Sequence, residues 1–311
     1  FQFNILQAQD QFNFDVTEIE IKENGNKFFG LKRGTITTDS GLVINADKFI
    51  YDKILNTLDA QGNVKIIDKF NNHTIYTNKI TYLKNDEIIF TKGDSKAVND
   101  NTVILAQEFK YLKKTNLLIA KNKVTIDDPD EDIVIFSQEI TYDQNKNVIF
   151  TEGFTEARVQ NKYNFYSKNV FYNKQNAELS SKKKTQVLDD KYNLYELDKF
   201  NYSKKEFLLK GENVKIKTNF NSNINSDEYF FESGFFDLDN RNFNASNTKI
   251  SMQKSIFGNI ENDPRLFGVT SFKEGKITQV NKGMFTSCKK REGCPPWSIQ
   301  AQKIIHDKKK K

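Results

Sequence analysis

The sequence predicts an all-β fold, an elongated antiparallel stack of strand–turn–strand repeats. Three observations predict it. A tyrosine recurs at Tyr51, Tyr82, Tyr111, Tyr142, Tyr172 and Tyr202, so the beat stays within one place of thirty throughout. Each tyrosine closes an alternating run, and each run is followed by a short polar stretch of turn type. Self-similarity at a fixed period marks a repeat architecture, in which each unit buries its apolar face against its neighbours.

The first element of each repeat is the strand that ends in tyrosine. Phe49 and Tyr51, Ile80 and Tyr82, Phe109 and Tyr111, Ile140 and Tyr142, Val170 and Tyr172, and Phe200 and Tyr202 are spaced two apart. Residues two apart on a strand share a face, and β-branched or aromatic alternation is the strand signal. The turn comes next, as in Lys84-Asn85-Asp86 or Gln144-Asn145-Lys146-Asn147. Asn and Asp tolerate left-handed backbone and bond their own chain, which suits such loops. A second alternating run follows, as in Leu58–Ile66, Leu118–Ile126 and Leu209–Ile216. Gly62, Gly93 and Gly153 each take the eleventh place after their tyrosine, and Asn122 occupies the matching place. Gly or Asn inside a strand pattern predicts a bulge or a sharp bend. Pro129 is the one proline among the tyrosine repeats, consistent with unbroken ladders. A weaker seventh copy lies at Phe236, slightly more than one period after Tyr202.

Stacked along the array, Phe49, Tyr51, Ile80, Tyr82, Phe109, Tyr111, Ile140, Tyr142, Val170, Tyr172, Phe200 and Tyr202 form one apolar stripe. Val64 with Ile66, Val124 with Ile126 and Val214 with Ile216 supply the facing wall. Two readings stand: an open, aromatic-lined groove for an apolar chain, or a closed core that binds nothing.

Composition narrows the rest. The 311 residues are 37% hydrophobic and 28% charged, with a net charge of +6. A mean hydropathy of −0.68 without a long apolar run excludes a transmembrane helix. Twelve tyrosines and 27 phenylalanines argue against disorder. Four prolines, 14 glycines and two cysteines exclude collagen-like and disulfide-framework classes. With only His73 and His306, a histidine triad or a multi-histidine metal site has almost no material, so neither an enzyme nor a metal or cofactor is expected. The run Asp127-Asp128-Pro129-Asp130-Glu131-Asp132 lacks the glycine and spacing of a calcium loop and reads as a solvated turn. Lys182-Lys183-Lys184 reads as a solvated face or a contact for an anionic partner. Clustered arginine with exposed aromatics, which nucleic-acid binding requires, is missing.

The repeats occupy residues 9–252. Phe1–Ala8 reads as the tail of a signal peptide, cleaved after Ala8, or as an ordinary first strand. Residues 253–311 read as a looser linker marked by Pro264, Gly268, Gly275, Gly283 and Gly293, with the lysines at 308–311 a solvated run.

One segment of that linker carries a resemblance. Phe285-Thr286-Ser287-Cys288, a polar loop with Cys294, then Trp297, an alternating strand and Ile305-His306-Asp307 resemble the lipopolysaccharide-assembly family LptD, also called OstA. The block Ala46-Asp47…Tyr51-Asp52…Ala60-Gln61-Gly62-Asn63-Val64 resembles the same family's periplasmic β-jellyroll, a taco-like fold. The resemblance implies a non-enzymatic role at the periplasmic face of a Gram-negative outer membrane. The stripe would take the acyl chains of lipopolysaccharide and pass them to a C-terminal barrel for insertion in the outer leaflet. It implies as partners a periplasmic bridge protein of the same fold joined edge to edge, an outer-membrane lipoprotein plug and that barrel, which is absent from these residues. In the family a cysteine at the place of Cys288 pairs with barrel cysteines, and a local Cys288–Cys294 bridge is the competing arrangement. The alternative from another class is a structural or adhesive β-solenoid with a closed core and no lipid ligand. A carbohydrate-active β-solenoid enzyme ranks third.

Overall fold

Short alternating runs with almost no proline make strands the element that the chain forms most readily. The structure, a computed structural model, describes residues 12–222, 225–290 and 295–307. Phe1–Ala8, Cys294 and the lysines at 308–311 therefore lie outside the described residues. Among those described there are 28 strands, three single-turn 3-10 segments and no α-helix. Pairing is antiparallel, so the all-β antiparallel expectation holds. The chain divides into two compact units, Phe1–Asn147 and Val148–Lys311.

In the first unit the strands make two ladders that share their long members. Thr57–Asp68, His73–Leu83, Leu117–Asp128 and Ile133–Asp143 each run through both. One half of each long strand pairs in the ladder that carries Tyr51, Tyr82, Tyr111 and Tyr142. The other half pairs in a facing ladder with Leu42–Ala46, Ser95–Asn99 and Thr102–Ala106. The inward residues of both ladders, among them Tyr82, Tyr111, Ile44, Ile75 and Ile126, are fully buried. The chain thus travels out along one ladder, crosses a seam into the other, turns, and returns. One such circuit takes about thirty residues, the period of the tyrosines.

The seam is made where the sequence placed its Gly and Asn. Gly62, Gly93, Asn122 and Gly153 have φ of 81°, 88°, 66° and 78°. At two of these places two residues oppose one on the partner strand, since the register jumps between Gln61 and Val64 and between Lys121 and Val124. Such a bulge bends the strand and increases its twist. Left-handed backbone is open to glycine and, more narrowly, to asparagine. The seam is also tied from the neighbouring strand. Asn63 Nδ2 donates to Asp47 Oδ2 at 2.8 Å, Arg33 donates to the other oxygen at 2.7 Å, and the Asp47 amide donates to the Gly62 carbonyl at 3.0 Å. The Arg33 and Asn63 hydrogen bonds hold the Asp47 carboxyl below its usual pKa.

The second unit repeats the circuit with Val148–Glu152, Phe171–Asn173, Glu178–Ser181 and Lys199–Ser203 on the tyrosine side. Phe154–Val159, Tyr163–Lys168, Thr185–Asp189 and Leu194–Leu197 face them. Asn213 tied to Asp198 Oδ2 at 2.8 Å reproduces the Asn63–Asp47 device. The circuit does not stop at Met252. Asn242–Ser251, Arg265–Glu274, Ile277–Thr286 and Ile299–Asp307 pair in succession; Gly268 and Gly283 lie inside these strands, Gly275 is in the two-residue turn between them, and Pro264 directly precedes one.

Gly62→Ala should lower stability by about 1–2 kcal/mol, because alanine is strained at this φ and its Cβ would lie 2.6 Å from Asp47 Oδ2. A Cβ at Gly153 meets nothing within 4 Å, and asparagine tolerates the φ, so Gly153→Asn should be close to neutral. Urea unfolding midpoints check both.

Candidate functional site

Eleven of the twelve stripe residues are buried, and Tyr51, at the start of the array, is half-buried. The facing wall Val64, Ile66, Val124, Ile126, Val214 and Ile216 is buried as well. The two ladders meet at the seam along one side. Along the other side, the lip, their strand ends approach each other through side chains alone.

In the first unit tyrosine hydroxyls close the lip. Tyr111 Oη donates to Asp68 Oδ2 at 2.8 Å and accepts from Asn71 Nδ2 at 3.2 Å. Asp68 ends its long strand on the facing ladder, 43 residues before Tyr111. Tyr142 Oη lies 3.1 Å from Asn99 Oδ1, again 43 residues back. Each hydroxyl also reaches the asparagine five residues ahead, Asn116 at 3.2 Å and Asn147 at 3.2 Å. Those asparagines take the left-handed turn position, with φ of 53° for both. Burial, reinforced by Asp68 at Tyr111 and by Asp100 and Asp128 at Tyr142, raises both phenol pKa values and keeps the hydroxyls protonated.

Beside this clasp lies His73, with its ring centroid 5.1 Å from that of Tyr111 and Nδ1 2.8 Å from Gln144 Nε2. Burial pushes its pKa down to about 4, opposed in part by the Asp68 carboxylate. The ring is therefore neutral in the folded protein at neutral pH.

In the second unit the Lys162–Asp239 ion pair, at 3.6 Å, crosses the lip. A cleft of about 330 Å³ lies between Asn193 and Thr218 on one side and Asn240 and Arg241 on the other. Its walls are Tyr195, Ile216, Tyr229, Phe236 and Phe243. These belong to the interior aromatic cluster, in which Phe231 and Phe243 have centroids 4.9 Å apart and Phe236 and Phe243 6.2 Å. Lys276 and Lys273 line the same cleft, and Lys273 Nζ donates to the Arg241 carbonyl at 2.5 Å. The cleft can admit an apolar chain and set cations beside whatever polar group stays outside.

Within each unit the stripe residues lie in the interior, and of the aromatic walls of the cleft the period selects Phe236 alone. A signal for some of them exists. Ile44, Ile75, Ile104, Ile135, Phe165, Tyr195 and Tyr229 each lie seven residues before a periodic aromatic, and all are buried.

Near the end of the described chain, Thr286 Oγ1 donates to the Trp297 carbonyl at 2.8 Å and Cys288 Sγ lies 3.8 Å from that oxygen. The Cys288–Cys294 pairing falls outside the described residues. Among the described residues no group of three or more His, Cys, Asp or Glu is placed to hold a metal ion. No helix there is long and apolar enough to cross a membrane, which says nothing of strands.

No protein-family model matches the chain, and no curated protein matches it. Among solved structures it matches the crystal structure of LptH, the LptA-homologous periplasmic component of the conserved lipopolysaccharide transport device from Pseudomonas aeruginosa. The match has 15% identity and a TM-score of 0.32, and covers 36% of this chain and 81% of that one. A likeness of that size carries no inference about this chain.

Tyr111→Phe removes a hydrogen bond to a buried carboxylate and should cost about 1.5–3 kcal/mol, against about 1 kcal/mol for Tyr142→Phe. Chemical denaturation measures the difference. The depressed His73 pKa sets a pH dependence: the unfolded chain gains a proton below about pH 6.5 that the folded chain refuses until about pH 4. Stability from this group is complete above that window and falls by up to about 3 kcal/mol across it. Unfolding free energies from pH 7 to 4 should slope less in His73→Asn than in the parent chain.

Proposed function

We propose that the chain is a lipid-conducting component of lipopolysaccharide export at the periplasmic face of an outer membrane. Acyl chains enter between the two ladders, and the polar headgroup stays at the lip. The observation that carries this reading is the cleft of the second unit, whose walls include Tyr195, Tyr229 and Phe243. Arg241 and Lys276 at its rim suit phosphate groups. The interior stripe of tyrosine, phenylalanine and isoleucine provides an apolar path without chemistry on the cargo. The resemblance of the repeats and of the Cys288–Trp297 segment to the LptD family supports the compartment and the handover to a barrel. The same resemblance supports a bridge protein joined edge to edge and a lipoprotein plug as partners. Unpaired backbone at the first strand of a stack favours that kind of joining. Within the first unit, Tyr111 and Tyr142 line the corresponding interior, reached when their hydroxyls release Asp68 and Asn99.

A second reading has its own observation. The first unit is sealed by hydrogen bonds at its lip and its stripe is buried at every residue but Tyr51, which suits a structural β-solenoid with a closed core.

A photo-crosslinking amino acid at Phe243, Tyr111 or Tyr142 separates the two. Under active transport, lipopolysaccharide adducts are expected at all three positions and not at the outward Lys96. Adducts at none of them would favour the closed solenoid, and Tyr111→Ser would then unfold the first unit without affecting any lipid.

A further inference from the structure

The lysine run at 182–184 occupies a singular place in the second unit. Lys183 takes the eleventh place after Tyr172, where the other circuits carry Gly62, Gly93, Asn122, Gly153 and Asn213 with positive φ. Lys183 does not adopt that backbone. The strand is interrupted here as it is at Gly93 and Gly153, and the three lysines join Glu178–Ser181 to Thr185–Asp189 across the seam. The loop is pinned, since the Lys183 amide donates to Ser181 Oγ at 3.1 Å and Thr185 Oγ1 donates to the Lys183 carbonyl at 2.9 Å.

On the outer face the broken seam leaves two hollows, of about 740 Å³ and 640 Å³, and Lys183 lines both. The larger one follows from the register. Phe150, Phe171, Ser180, Asn201 and Lys210 are successive cross-strand neighbours. The small Ser180 and Asn201 form a depression between an aromatic wall and a cationic one. Phe150 and Phe171 have ring centroids 4.8 Å apart, and Phe150 is 49% exposed. The one carboxylate lining this hollow, Glu212, pairs with Lys199 at 2.7 Å. Among the described residues no carboxylate pairs with Lys182, Lys183 or Lys184. An exposed aromatic wall beside the ammonium groups of Lys182 and Lys183 matches neither a free anion, which needs no phenylalanine, nor a neutral apolar ligand, which needs no lysine.

We propose that this hollow binds a single-chain anionic amphiphile of the alkyl phosphate class. The phosphate meets Lys182 and Lys183, and the alkyl chain lies against Phe150 and Phe171. Phe171 points outward while its neighbour Tyr172 points into the interior, so the site does not rest on the acyl path proposed above.

The test uses the full chain with a photo-crosslinking residue at Phe150 or, separately, at Phe243, and dodecyl phosphate below its micelle concentration as probe. Mass spectrometry reads the adducts. At position 150 an adduct is expected that falls about tenfold when Lys182, Lys183 and Lys184 are all changed to serine, as expected from a loss of about 1.4 kcal/mol. The adduct at position 243 should not change, which separates this site from the interior path. The lysines and Phe150 are exposed, so an unchanged circular dichroism spectrum is expected of each variant. Three outcomes would overturn the proposal: equal labelling at position 150 by dodecyl maltoside, no adduct there, or an adduct insensitive to the triple change. Competition by inorganic phosphate as strong as by dodecyl phosphate would also overturn it, since the chain would then add nothing.

Discussion

The interior of each unit depends on carrying a strand from one ladder into the other without losing its inward face. A flat strand of the length of Thr57–Asp68 would continue straight, and half its apolar residues would have nothing to cover them. The residue at the eleventh place after the tyrosine removes that difficulty by adopting left-handed backbone. The bulge it makes lets Leu58 and Ala60 point inward on one ladder and Val64 and Ile66 on the other. Asp47 and Asp198 then hold the asparagine of the bulge from the adjacent strand. The constraint is local in sequence and yet decides which side chains meet across the core.

The opposite side is governed by weaker forces. Nothing covalent and no backbone ladder joins the two ladders at the lip, so side chains decide whether the interior is shut. In the first unit a phenol spans the gap to a carboxylate or an amide, and its ring fills the space below. Phenylalanine would fill the same space and leave Asp68 with one partner fewer. In the second unit the equivalent rim carries Asn193, Thr218, Asn240 and Arg241, and the aromatic cluster of Tyr229 and Phe243 lines the cleft between them. The lip therefore takes a different form in each unit.

Much of this was legible in the chain itself. The tyrosine spacing, the polar turns and the Gly or Asn at the eleventh place are local patterns, and they translated directly into strands, turns and bulges. The seven-residue offset of Ile75, Phe165 and Tyr195 from the periodic aromatics was equally present. It reads as noise until the turn at the end of each circuit is known to bring the facing residues together. The lip was less legible, because Asp68 and Asn99 meet tyrosines far along the chain and nothing in either residue type announces the partner. After Met252 the tyrosines cease while the strands continue. There the pairing is maintained by backbone and by residues such as Leu266 and Val280, whose apolar character has no period to advertise it. Lys183 shows the reverse: a visible charge run whose meaning lay in the position it filled.

Because a circuit carries its own turn, seam residue and inward pair, it is also a unit of inheritance. Unequal recombination between two turn-coding stretches would add or remove about thirty residues and leave every remaining rung with a compatible neighbour. Each gain would lengthen the enclosed space by two strands, about 9–10 Å. The enclosed volume of such a protein can therefore change in whole steps over generations, through gene length.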